Sequence, residues 1–196
     1  MPDRRRRGGR MLNLVKAPFA VIVGPRSALA GKPLPCTAGP CHRCSMQTVY
    51  EAAGGAGFFL TLANAWHARV MADDVVSHAF SHGFHPEHSQ RLAAYWAEAL
   101  GGPPSYSVSY GDETSVVRIH SGNGPHEEMD RRAIACFDQA LTDVGLTGGN
   151  TLRTVLHDYF AWAATTTMSR YERSPDDVPD GLRMPQWSWD GLVGQD

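Results

Sequence analysis

Lysine is almost missing from this 196-residue chain: Lys16 and Lys32 are the only two, and both precede Met46. The gap divides the sequence by charge. Residues 1–45 carry nine basic side chains against Asp3 alone, a net of +8, while residues 46–196 carry nine basic side chains against nineteen acids, a net of −10. The arginines of the leading segment have no aromatic residues interleaved with them, which speaks against a nucleic-acid arm. Long apolar runs are lacking too, so no stretch is fit to span a membrane. The nearest approach to a signal peptide, an arginine run followed by residues 18–23, is short and is interrupted by Lys16, Pro18 and Pro25. Cysteine is scarce: Cys36, Cys41, Cys44 and Cys136 require no disulfide framework. The first three resemble half of a metal site, with only His42 inside the loop as a further ligand; Cys136 sits on an apolar helix face as a small hydrophobe. The cytoplasm is the simplest compartment for such a chain. No alternating strand pattern, internal repeat, or flavin or nicotinamide motif is present.

What is present is helical periodicity, from Met46 almost to the end. Phe58, Phe59, Leu62, Trp66 and Val70 recur at helical spacing. A short helix over 73–80 carries Val75, Val76 and Phe80. After a loop over 81–85, Pro86 opens a helix with His88, Leu92, Tyr95, Trp96 and Ala99 on one side, and the Gly101-Gly102-Pro103-Pro104 run ends it. Residues 105–115 read as polar and irregular. A helix over about 126–144 places Ala133, Ile134, Phe137, Leu141 and Val144 inward, and a last one over about 150–170 carries Leu152, Val155, Leu156, Tyr159 and Phe160. The expected organisation is a basic, disordered extension over 1–45 (with translation starting near Met46 as one explanation of it), an all-α domain over 46–171, and a Pro- and Trp-containing tail over 172–196 anchored by Trp187 and Trp189.

His120 is the residue with the clearest chemical promise. It ends the apolar run from Val116. A Ser-Gly-Asn-Gly turn follows, and then Pro125 and two glutamates begin the next helix, with proline suited to its first position and acids to the positive end of its dipole. An imidazole fixed between two elements can aim one nitrogen into a pocket, and neutral imidazole is a good iron ligand. The bland alternative is a histidine that braces the turn. His67 on an apolar helix and His88 at a helix start each divide between a core or surface role and a pocket role. His78, His82, His85 and His88 would make a transition-metal face on one continuous helix, but Gly83 and Pro86 interrupt it.

Several motifs then recur in a set order: Val49-Tyr50-Glu51-Ala52-Ala53-Gly54-Gly55, Arg69-Val70 with Asp73-Asp74-Val75-Val76 leading to Phe80, Gln90-Arg91-Leu92, Leu100-Gly101-Gly102-Pro103-Pro104-Ser105-Tyr106-Ser107, and Arg118-Ile119-His120 before a helix containing Cys136. In these, the stretch from Tyr50 to Tyr171 resembles the truncated haemoglobins, and most of all their second group. The resemblance implies a two-over-two helical sandwich around one haem b. His120 takes the proximal metal-ligand position, and Phe80 the aromatic against the haem face. His88 takes the distal-helix position, with Leu92 one turn on. His67 stands where the group usually has tyrosine, and Ala133 where it usually has tryptophan, so two customary hydrogen-bond donors are replaced. Tyr95, Trp96, Ile119 and Phe137 complete the expected cofactor surroundings, with Trp96 and Phe137 read first as core. Arg69 and Arg91 are candidates for the haem propionates.

The implied function is reversible binding of dioxygen, and of NO or CO, at a histidine-ligated iron. Transport, storage, sensing, NO dioxygenation and peroxidase chemistry all begin there; the last two need electrons from a reductase partner. The rival reading is a haem-free helical module that binds a partner protein through Pro185-Gln186-Trp187-Ser188-Trp189.

Overall fold

The computed structural model describes residues 47–194. The basic extension, the proposed start at Met46 and the Cys36/Cys41/Cys44 cluster lie outside them. Helix α1 (Val49–Ala53) opens on a capping box in which the Thr48 hydroxyl accepts from the Glu51 N–H and the Glu51 carboxylate accepts from the Thr48 N–H. Ser/Thr-x-x-Glu before an apolar residue is the sequence sign of such a start. Helix α2 (Ala56–Ala72) follows the Gly54-Gly55 break, and a 3₁₀ turn (Val76–Phe80) follows α2. Then come α3 (His88–Ala99), α4 (Ser105–Ser109), α5 (Glu113–His120), α6 (Glu127–Asp143) and α7 (Thr151–Trp162). Helix α7 runs on into one π turn over Ala163–Met168.

Four helices carry the core. Helix α2 packs most extensively on α3 and then on α6, and α6 packs on α7. The result is an all-α architecture built on the contacts of α2 with α3 and α6 and of α6 with α7. Aromatic rings lock these contacts. Phe137 and Phe160 stack with centroids 4.1 Å apart and planes 7° from parallel. Trp96 sets its edge on Phe137 at 5.3 Å, and Trp66 sets its edge on Phe160 at 5.7 Å. Such pairs each add about 0.5–1.5 kcal/mol beyond the area they bury.

Gly102 permits the close approach of α1 to the end of α3. A Cβ there would stand 2.6 Å from the Ala97 carbonyl and 2.8 Å from the Tyr50 ring. The neighbouring backbone bond from Tyr50 N–H to the Leu100 carbonyl is 2.9 Å.

Three sequence expectations need correction. Residues 105–115 are largely helical; the two short helices there, separated by Tyr110, Gly111 and Asp112, are too brief to show a period. Pro86 and Pro125 do not occupy first helical positions: α3 begins at His88 and α6 at Glu127, each two residues later. The tail adds a two-residue antiparallel hairpin, pairing Trp187 with Leu192 and Ser188 with Gly191. Trp187 leans on Tyr159 and Trp162, and the Trp189 indole N–H donates to the Gln47 carbonyl at 2.7 Å. Both tail tryptophans are thus engaged with their own chain. Among the described residues no helix is long and apolar enough to cross a membrane.

Candidate functional site

The candidate residues come from the last turn of α5 and from the facing sides of α2 and α3. Asp112 starts α5 by accepting from the Ser115 N–H at 2.8 Å. At the other end several freed carbonyls are taken up: the Ser121 hydroxyl donates to the Val117 carbonyl at 2.7 Å, and the Asn123 amide donates to the His120 carbonyl at 3.0 Å. His120 lies 2.8 Å by its Nδ1 from the Val116 carbonyl one turn earlier. A carbonyl can only accept, so Nδ1 bears the proton and the Nε2 lone pair is left without a hydrogen-bond partner among the described residues. More than a third of the His120 surface is open to solvent, yet desolvation by the surrounding protein pushes its pKa below the usual histidine value. Neutral imidazole is the form that ligates a metal.

Two further histidines share a cage of rings. His67 from α2 and His88 from α3 have ring centroids 5.2 Å apart. Phe80 lies 5.5 Å from His67 and 5.2 Å from His88, and Phe84 closes to 4.6 Å from His67. The Nδ1 atoms of both histidines are buried with no hydrogen-bond partner. A buried orphan nitrogen costs about 1–3 kcal/mol, so two together in one cage call for a ligand or solvent to satisfy them. Burial, and then the charges of His67 and His120, push His88 down to about 4. Burial lowers His67 as well.

The remaining expected residues divide. Leu92 is half-buried on α3, one turn beyond His88. Ile119 is 77% exposed and Phe84 48%, large apolar surface left open beside the histidines in the chain. Ala133 is partly buried, and its carbonyl accepts the Trp66 indole N–H at 3.2 Å. Trp96 and Phe137 make their ring contacts inside the core. Tyr95 is also in the core, where its hydroxyl donates to Glu113 at 2.8 Å rather than reaching the histidine cage. Arg69 is engaged by Asp143 in a two-pronged pair at 2.7 and 2.8 Å and by Gln139, so it is not free for an anionic group. Arg91 keeps a buried Nε without a partner while its guanidinium lies 5.1 Å over the Tyr110 ring. His78, His82, His85 and His88 do not gather into a metal face; among the described residues no group of three or more His, Cys, Asp or Glu side chains could hold a metal ion. Two shallow cavities of about 290 and 270 Å³ lie elsewhere, one at Asp138 and His157, the other between α1 and the tail hairpin.

A family model for bacterial-like globins matches residues 48–165, more than half of the chain. The chain belongs to the bacterial-like globin family. Membership implies a haem cofactor, and globins bind diatomic gases. The haemoglobin of the thermophilic phototrophic bacterium Chloroflexus aurantiacus is similar at 26% identity and a TM-score of 0.53, with 63% of this chain covering 98% of that one. The thermostable haemoglobin of the actinobacterium Thermobifida fusca gives 27% identity, the same TM-score, and 64% of this chain against 99% of that one. The group II truncated haemoglobin of Bacillus anthracis shares the fold at 21% identity and a TM-score of 0.54, with 65% and 98% covered. No curated protein matches.

Sequence reasoning missed Phe84, the ring nearest His67. Its only signal was a phenylalanine among glycine and histidines in a segment read as loop. It also missed the buried carboxyl of Glu113, which is 4% exposed although it follows Asp112 at a helix start, where acids are ordinarily solvated.

Proposed function

We propose that this globin holds haem b through His120 and uses His88 and His67 to receive dioxygen, or another diatomic ligand, on the other side of the cofactor. One observation carries the reading: His120 has one ring nitrogen fastened to Val116, leaving the other free, while His67 and His88 stand together with buried Nδ1 atoms that lack partners. That donor set suits a planar, metal-centred group. An imidazole would hold its metal, and Phe80, Leu92 and Phe84 offer it apolar surface. Haem, when bound, supplies the iron at which a small ligand coordinates. The protein's part is to fix the His120 tautomer, to keep all three imidazoles neutral, and to present N–H donors to a polar diatomic ligand. A hydrogen bond of that kind contributes roughly 1–3 kcal/mol. The haemoglobins of Chloroflexus aurantiacus and Thermobifida fusca, each above 25% identical, support the reading. It extends to NO dioxygenation and peroxidase-type chemistry where an external reductase provides electrons.

The test is titration of the purified chain with hemin. A sharp Soret band that His120→Ala abolishes is expected. A folded chain that stays colourless, or a band indifferent to His120→Ala, overturns the assignment. His88→Leu is expected to raise the dioxygen dissociation rate more than His67→Leu does, because His88 opens its helix and has Leu92 one turn behind it; stopped-flow measurement of release decides.

A further inference from the structure

Helix α5 is eight residues long, too short to hold its shape without tertiary support. Its most extensive packing is not on the four core helices. It packs chiefly against the 3₁₀ turn Pro175–Asp177 and the π turn Ala163–Met168. Beyond the family match, which ends at residue 165, the chain from Tyr171 to Leu182 runs along α5 and fastens to it at intervals. The Gly122 and Gly124 N–H groups donate to the Tyr171 and Glu172 carbonyls at 2.9 and 3.0 Å. Arg118, two residues before His120, reaches the Val178 carbonyl at 3.3 Å and the Asp180 carboxylate at 2.8 Å. At the start of the helix the Thr114 hydroxyl donates to the Pro179 carbonyl at 3.3 Å and accepts from the Leu182 N–H at 3.0 Å. Val178 is 2% exposed and Thr114 5%. Gly122 has φ +78°, and a Cβ there would meet Pro175 at 2.7 Å, so the strap crosses against the turn that follows His120.

We infer that the strap over residues 171–182 is a positioning device for His120: by clasping α5 through Thr114, Arg118 and the Gly122 turn, it sets the place and angle of the imidazole offered to the cofactor. The inference rests on the proposed ligation by His120. A strap that only added stability would have no reason to concentrate its bonds on this one short helix. Supports behind a metal-bound histidine commonly govern affinity by roughly 10–100-fold.

The experiment uses the full chain reconstituted with hemin. Thr114→Val and Arg118→Ala remove side-chain clasps without touching His120, and trypsin cleavage after the exposed Arg173 and Arg183 reports release of the strap. Hemin loss to excess apomyoglobin is expected to quicken roughly tenfold or more, and the iron–imidazole stretching band of the ferrous form to shift. Thr114→Ser is expected to restore both. If trypsin cleaves the variants faster while hemin loss and the stretching band stay at wild-type values, the strap does not position His120. Variants as trypsin-resistant as the wild type also overturn the assignment, because the named clasps then do not hold the strap. Should either variant fail to fold, Val178→Ser loosens the strap from its apolar side and is read the same way. A wild-type chain that refuses hemin defeats the parent reading, and is told apart by the missing pigment.

Discussion

His88, half-buried, and Glu113, buried, are two titratable groups whose environments push in opposite senses. His88 is held down to about 4, so its folded value lies below the ordinary histidine value. The stability that the neutral, buried form contributes is complete above about pH 6.5 and is lost as pH falls toward 4. After allowance for solvent screening the loss is about 1–2 kcal/mol. Glu113 is pushed up to about 7, chiefly by burial, against the opposing bond from Tyr95, with Asp112 adding to the rise. A raised carboxyl works the other way: its contribution is complete below about pH 4.5 and is lost as pH rises through 7, by roughly 2–3 kcal/mol. Urea midpoints at pH 5, 6, 7 and 8 separate the two. Glu113→Gln is expected to flatten the fall between pH 5 and 8, and His88→Leu to remove the acid limb. At this scale the pairing of His67 with His88 could be anticipated because each stands among apolar residues at helical spacing. The Tyr95–Glu113 bond could not, since nothing local to Glu113 distinguishes an acid that will be buried from one that will cap a helix.

Helices α2, α3, α6 and α7 were readable where apolar residues recur over three or more turns, and the aromatic set Trp66, Trp96, Phe137 and Phe160 pointed inward from the pattern alone. Phe137→Ala is expected to cost about 3–5 kcal/mol, measured by urea unfolding, because it leaves the Phe160 face without its stacked partner. Helix α5 escaped because eight residues complete barely two turns, and its support comes from a segment more than fifty residues away in sequence. Periodicity reports which face of a helix is buried but not what covers it. Gly102 makes the same point about approach distance: a glycine before Pro103 reads as a helix stop, and only the fold shows that α1 needs it bare. Gly102→Ala is expected to lower the midpoint of thermal unfolding, because the added Cβ would clash with both the Ala97 carbonyl and the Tyr50 ring.

For the molecule as a whole, the resemblance carried the arrangement of the helix pairs, while the course of the tail had to be seen. It runs along α5, returns across α7 at Trp187, and reaches Gln47 ahead of α1 through Trp189. Trp187→Ala is expected to cost about 2 kcal/mol, less than a fully buried ring because Trp187 is only half-buried against Tyr159 and Trp162; chemical unfolding followed by the far-UV signal checks it. Trp189 grips the carbonyl of Gln47 at 2.7 Å, so the first and last described stretches are neighbours in space. Joining them with a few glycines and serines would add little loop-closure entropy. A circular permutant closed at that seam and reopened in the Gly148-Gly149 turn should therefore fold, with new termini at a place where both flanking helices already begin and end.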